Sequence, residues 1–188
     1  MTLQPTLWRT CRTLANRRRL SCLKEVVLRP GESVGEIAAA VKLPQDQASL
    51  CLRALQARGL LHASRDGRWV RYFPWPDPLV PTAADVLVAM TRALTEKKLQ
   101  DKRVLQCLTA FTHPRRLAIL GSLLQRRVLS FPALVQRCHI SSPALSRHLK
   151  KLVTRRLVQE TPEGWTLVSE RDSLSESFLK VIAKNSEM

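Results

Sequence analysis

The sequence predicts a mainly α-helical fold with small β-hairpin wings, in which one structural unit occurs twice. Residues 14–67 align with residues 111–164 without a gap, and such self-similarity is the signature of a repeated unit. In both copies apolar residues recur at helical spacing, and the first copy closes on Asp66-Gly67, a dipeptide typical of a tight hairpin. Helices followed by a hairpin form a winged helix-turn-helix. We therefore expect two tandem winged helix-turn-helix domains that form an intramolecular pseudo-dimer.

The repeat includes both apolar and polar positions. The aligned pairs include Arg18 with Arg115, Arg19 with Arg116, Leu20 with Leu117, Leu23 with Leu120, Ser33 with Ser130, Ser49 with Ser146, Leu52 with Leu149 and Leu55 with Leu152. Each copy is expected to open with one long helix. Its apolar stripe comprises Leu14, Leu20, Leu23, Val26 and Val27 in the first copy and Leu117, Leu120, Leu123 and Leu124 in the second.

A short second helix and a longer third helix follow. Ser33 and Glu36 have the spacing of a capping box, which predicts a helix from there to about Val41. The next helix is expected over 45–58, and its counterpart in the second copy over 144–155. Ser142 is predicted to cap that counterpart, with Pro143 in its first turn. Strands are expected at 60–64 and 69–73.

The domain boundaries follow from the prolines and from two further apolar stripes. The expected divisions are winged helix domain 1 at 1–73, a Pro-rich linker and connecting amphipathic helix at 74–100, winged helix domain 2 at 101–169 and a C-terminal helix at 170–188. Thr82 is predicted to cap the connecting helix. The stripes comprise Val86, Leu87, Met90 and Leu94 in one helix and Leu174, Phe178, Val181 and Ile182 in the other. We expect these helices to bury their stripes against each other.

The composition favours a polyanionic partner. The chain has 31 Lys and Arg against 15 Asp and Glu, a formal net charge of +16, and basic residues are in excess in both halves. No apolar run is long enough to span a bilayer and the start lacks the order of a signal peptide, so no membrane partner is expected. The 5 cysteines include no Cys-X-X-Cys pair, which is typical of a reducing compartment. The expected location is cytoplasmic.

Both copies also contain a sequence motif in addition to the helical spacing of their apolar residues. It comprises residues 33–55, 59–60 and 65–72 in the first copy and 113–117 and 140–152 in the second. With this pattern the chain resembles the ArsR-type winged helix-turn-helix transcriptional regulators. The resemblance implies a repressor whose first and last helices form a dimer interface and whose recognition helices enter successive major grooves. Here the dimer would be covalent, with unlike half-sites, and the chain would be either a monomeric pseudo-dimer or a homodimer.

Candidate contacts to double-stranded DNA are the cationic and short polar side chains of the two recognition helices and the first wing. Phosphates are bound by cations, whereas base edges are read by bidentate or short polar groups. The predicted DNA-binding residues are Gln45, Gln47, Ser49, Arg53, Arg65, Arg68, Ser142, Ser146, Arg147, Lys150 and Lys151. Arg71 adds charge near the first wing. The second wing carries Glu160 and Glu163, so the two halves are not expected to engage DNA equally.

Other classes of function are less well supported by the sequence. Cys138, His139 and His148 lack the usual spacing of a zinc site, so no metal and no cofactor is predicted. Cys11 and Cys107 lie at nearly matching positions, either as buried small residues or as a redox pair. The sequence shows no phosphate-binding Gly-rich loop or paired catalytic carboxylates, and an enzyme is not predicted. The alternative is a scaffold that binds nucleic acid without sequence preference, or binds proteins.

Overall fold

The computed structural model describes residues 6–96 and 99–186, without the side chains of the last two of these residues. The first half contains α1 Leu7–Leu14, α2 Arg17–Leu28, α3 Val34–Ala40, α4 Gln45–Gln56, β1 His62–Asp66, β2 Trp69–Phe73 and α5 Ala83–Thr91, followed by a π-helical turn Arg92–Glu96. The second half contains α6 Asp101–Ala110, α7 Pro114–Gln125, β3 Val128–Leu129, α8 Phe131–Cys138, α9 Ser142–Thr154, β4 Val158–Thr161, β5 Gly164–Leu167 and α10 Ser173–Ser186.

The two halves follow the same order of elements, except that the second half has the additional short strand β3. The helix α7 begins and ends 97 positions after α2, and α9 begins 97 positions after α4. Two positions with a positive backbone φ angle also recur at this offset. Lys42 and His139 have φ of 54° and 50°, and Gly59 and Arg156 have φ of 69° and 56°. The sequence repeat therefore corresponds to a repeat of local backbone conformation.

The prediction of one long opening helix is wrong for the first copy, whereas in the second copy the predicted stripe Leu117 to Leu124 lies within the single helix α7. In the first half the chain breaks between α1 and α2, where the side chain of Asn16 accepts a hydrogen bond from the backbone N–H of Arg19 at 3.1 Å. In the second half His113 Nδ1 accepts from the backbone N–H of Arg115 at 3.1 Å, and Pro114 occupies the first turn of α7. These caps start a new helix although the apolar spacing continues across the break.

Of the three other predicted helix caps, one is confirmed and two are wrong. The capping box of Ser33 and Glu36 is confirmed, with Glu36 accepting from the Ser33 N–H at 2.7 Å. Ser142 does not cap α9, because the helix begins there and Ser141 lies at the cap position without a side-chain hydrogen bond. Thr82 precedes α5 but does not cap it, since its backbone is already helical and its buried hydroxyl has no partner among the described residues.

The hairpins differ from each other and from the predicted strand positions. In the first half β1 begins two residues later than expected, because Leu60 and Leu61 are buried in the core before the strand starts. The turn contains Gly67, at φ 58°, and β1 and β2 pair antiparallel. In the second half β3, β5 and β4 form one antiparallel sheet, and Gly164 begins β5 instead of lying in the turn. The aligned glycines are therefore not structurally equivalent.

Equivalent elements of the two halves pack against each other. The helix α1 contacts α6, and α5 contacts α10. Lys184 Nζ donates to Asp85 across the second contact at 3.1 Å. Within the second half, the ring of Phe178 stacks on that of Phe111, with 5.1 Å between the ring centroids. The expectation that the two additional helices bury their apolar stripes together is confirmed, although α10 also packs on α7. Within residues 6–96 and 99–186, the structure has no helix long and apolar enough to cross a bilayer.

Candidate nucleic-acid interface

The helix α9 presents a cationic face opposite an apolar one. Its core side is buried at Leu145, Leu149 and Leu152, which contact α7, α8 and β4. Its exposed side carries five of the predicted residues, which are Ser142, Ser146, Arg147, Lys150 and Lys151. Because helical residues three and four positions apart share a face, the apolar positions anchor α9 and leave these polar side chains open to solvent.

A cavity of about 560 Å³ lies between α9 and the start of α7. We call it the cationic cavity, and it is lined by His113, Arg115, Arg116, Arg147, His148, Lys150, Lys151 and Thr154. Three of these side chains, Arg147, Lys150 and Lys151, are predicted DNA-binding residues that the structure brings to one place. Among the described residues no carboxylate belongs to this lining, so the charge of these cations is not compensated by them within the cavity.

The two histidines of the cationic cavity lie against each other. Their ring centroids are 4.6 Å apart, with a 45° angle between the planes. Burial, followed by the proximity of His113 and of the neighbouring cations, lowers the pKa of His148 to about 4. The pKa of His113 is also lowered, first by burial and then by Arg116. Both rings are thus held neutral near pH 7, as required for the helix cap that His113 Nδ1 provides.

The histidines and the α7 arginines of this cavity were not among the predicted residues. The sequence did carry a signal for the arginines, because Arg115 and Arg116 repeat Arg18 and Arg19. Arg116 is buried and fixes the end of α6, so it borders the cavity without being a free cation. His148 gave no comparable signal, since its counterpart in the first half is a cysteine.

The first half arranges the corresponding surface differently. In α4 the predicted residues Gln45 and Arg53 are exposed, whereas Gln47 and Ser49 are half-buried. Gln47 Oε1 already accepts from Arg18 Nη1 at 2.7 Å. Leu50, which stands where α9 has Arg147, is 59% exposed. The face of α4 is therefore less cationic than the face of α9.

The first wing carries two exposed cations and one that is internally paired. Arg65 and Arg68 are exposed, and the guanidinium of Arg68 lies 4.9 Å from the ring centroid of Trp69. Arg71 instead donates to Asp66 at 2.8 Å and to the carbonyl oxygen of Gly31 at 2.9 Å. The structure thus leaves Arg65 and Arg68 free to meet a phosphate and assigns Arg71 to holding the wing. The acidic Glu160 and Glu163 are exposed on the second wing.

The cysteines are reduced and mostly buried. Cys11 is fully buried and its pKa is raised well above the usual value by burial and by the proximity of Cys107. Burial raises the pKa of Cys107 to about 12. The two thiols are thus neighbours, but neither is positioned as an accessible thiolate. Within residues 6–96 and 99–186, no three His, Cys, Asp or Glu side chains are grouped to hold a metal ion.

The helix-turn-helix of the second half has a match among known protein families. Residues 113–160 match the family described as bacterial regulatory protein, arsR family. The match begins at the N-cap of α7, passes through α8 and α9 and ends in β4, so it includes every residue that lines the cationic cavity. It indicates a DNA-binding transcription regulator. The comparison with curated proteins found no match.

Proposed function

We propose that the chain is a sequence-specific regulator of transcription that binds double-stranded DNA and represses the promoter it occupies. The observation that carries this proposal is the exposed face of α9, where Ser146, Arg147 and Lys150 stand side by side within the segment that matches the arsR family. Arginine reads guanine bidentately in the major groove, and serine and lysine supply base and phosphate contacts. In this proposal α9 is a recognition helix.

The same proposal makes α4 a second recognition helix in the next major groove. Its support is the contact of α1 with α6 and of α5 with α10, because a contact between equivalent elements is what a pseudo-twofold dimer interface requires. We propose winged helix domains at 1–73 and 101–169, joined through the connecting segment 74–100 and closed by the helix in 170–188. Two heads arranged in this way cover half-sites about 34 to 36 Å apart.

The two heads are proposed to contribute unequally to affinity. The face of α9 is cationic, and among the described residues its cations have no carboxylate partner in the lining of the cationic cavity. In contrast, α4 has the exposed Leu50 and a Gln47 that is already bonded to Arg18. In the first half Arg65 and Arg68 of the wing then supply the phosphate contacts, with Gln45, Gln47, Ser49 and Arg53 facing the bases. The preferred site is accordingly expected to be asymmetric.

Selection of bound sequences from random duplexes, using the full chain, tests this proposal. The expected result is one enriched motif with two unlike half-sites whose centres lie about 10 to 10.5 base pairs apart. Binding without enrichment, which disappears with modest salt, would instead indicate the scaffold with no sequence preference. Transcription from a template with the selected site at its promoter is expected to fall, and an increase would contradict repression.

Paired variants separate recognition from general charge. Replacing Arg147 and Lys150 together with Ala is expected to weaken binding to the selected duplex by about 2 to 6 kcal/mol, given about 1 to 3 kcal/mol for each good base contact. The matched control replaces the exposed Arg126 and Arg127, which follow the opposite end of α7 from His113. An equal loss in both double variants would show that only net charge matters.

A further inference from the structure

The cationic cavity gathers positively charged side chains from more than the exposed face of α9. It is built by two helices, with Arg115 contributed by α7 and Arg147, Lys150 and Lys151 by α9. Like charges held this close repel one another, and no carboxylate in the lining offsets them. Its volume of about 560 Å³ is many times that of a single water molecule. A polyvalent anion fits both the charge and the space.

Besides its positive charge, the cationic cavity contains the adjacent rings of His113 and His148. His148 Nδ1 is buried and has no hydrogen-bond partner among the described residues, although it lies beside the ring of His113. The groups that face the pair are Arg115 and Arg116 from α7 and Arg147, Lys150 and Lys151 from α9. The elements α6, α8 and β4 contribute no ionisable side chain to the lining. Every charged group around the pair is therefore a cation.

We propose that the cationic cavity binds a phosphate group and that His148 takes up a proton as the phosphate enters. Burial and the surrounding cations keep both histidines neutral, and a dianion that enters the cavity offsets part of this positive field and favours a protonated ring beside it. Protonation of His148 then supplies a positive charge beside the phosphate and lets the ring, whose Nδ1 has no partner among the described residues, donate a hydrogen bond to it. The site belongs to the second half alone, since Asn16, Leu50 and Cys51 replace His113, Arg147 and His148 in the first.

This inference depends on the charges of the cavity and not on the proposed function. The phosphate has two candidate sources, the backbone of a bound duplex or a small phosphorylated molecule. The first experiment therefore uses no DNA and titrates the full chain with sulfate, which has the geometry of phosphate and keeps its charge across the histidine range. Calorimetry in two buffers with different heats of ionisation counts the protons taken up. The resonance of His148 in an NMR titration shows where they bind.

The expected result is sulfate binding with proton uptake on His148, and a several-fold higher affinity at about pH 5.5 than at about pH 7.5. One proton sets an upper bound of about tenfold per pH unit. Arg147→Leu, which installs the residue found in the first half, is expected to weaken sulfate binding about tenfold, as expected for a hydrogen bond to a charged group. His148→Gln is expected to keep part of the affinity and lose the proton uptake. Arg126→Leu is the control and should change neither.

Two results would overturn the inference: sulfate binding that is the same in Arg147→Leu, or binding with no change in the pKa of His148. A second arm assigns the source. Displacement of sulfate by a duplex indicates the backbone phosphate, whereas displacement by a nucleoside monophosphate alone indicates a small ligand. Failure of DNA binding with intact sulfate binding would count against the proposed function and leave this site in place.

Discussion

The guanidinium of Arg116 donates from Nε to the carbonyl oxygen of Ala110 at a distance of 2.6 Å. Its Nη2 also donates to the carbonyl oxygen of Thr109 at 2.9 Å and to Thr112 Oγ1 at 2.7 Å. These acceptors lie at or just beyond the end of α6, where backbone carbonyls have no partner within the helix. One buried side chain thus joins the end of α6 to the first turn of α7.

Replacing Arg116 with Ala is therefore expected to lower the free energy of unfolding by about 2 to 4 kcal/mol, because it removes three hydrogen bonds and leaves the carbonyl oxygen of Ala110 without this buried partner. Arg19→Ala is expected to cost less, since Arg19 makes one such bond, to the carbonyl oxygen of Thr13. Urea unfolding followed by circular dichroism measures both. Arg126→Ala, at an exposed position, is the control, and equal losses in all three variants would contradict this role.

The stacked pair of Phe111 and Phe178 ties the C-terminal helix to the second half, and both rings are fully buried. Phe178→Ala is expected to lower the free energy of unfolding by about 3 to 5 kcal/mol through lost burial and the cavity left behind. Val153→Ala, on the exposed side of α9, is expected to change it by less than about 0.5 kcal/mol. If Phe178→Ala is as stable as the parent chain, α10 does not pack as described.

Gly59 and Arg156 occupy equivalent left-handed positions after α4 and α9. We expect that replacing the glycine at the first position and introducing a glycine at the second have different effects on stability. A Cβ on Gly59 would lie 2.9 Å from Val80, so Gly59→Ala combines backbone strain with a clash and should destabilise by more than about 1 kcal/mol. Arg156→Gly removes a strained side chain and is expected to be neutral or stabilising by up to about 1 kcal/mol. Thermal unfolding compares them, and destabilisation by both would contradict the expectation.

The lowered pKa of His148 predicts how stability depends on pH. In the folded chain the ring binds its proton only near pH 4, whereas an unfolded histidine does so near about pH 6.5. The unfolded state therefore holds more protons between these values, and the free energy of unfolding should fall as pH drops from about 6.5 towards 4. His148→Gln is expected to reduce this slope in denaturant titrations at a series of pH values, and an unchanged slope would argue against a neutral buried ring.

Much of the local structure could be predicted because it depends on residues close together in the chain. The Ser33 capping box, the apolar stripes of α9 and α10 and the first hairpin all arise from side chains a few positions apart, whose spacing can be read directly. The break before α2 was missed for a related reason. Apolar spacing continues from Leu14 to Leu20, and only the cap formed by the Asn16 side chain shows that the helix restarts.

In the candidate site, too, some features could be predicted from the sequence and others depend on how the helices pack. Exposure of Arg147 and Lys150 on α9 follows from helical spacing, and the sequence alone suffices to place them opposite Leu149. Their meeting with His113 depends on how α7 packs against α9, across a separation of more than 30 residues that no local pattern records. Likewise, the side-chain oxygen of the predicted residue Gln47 is bonded to Arg18 only once α2 and α4 have packed. Hydrogen bonds and fields act through space, so the charge and the proton affinity of the cationic cavity are properties of the folded chain.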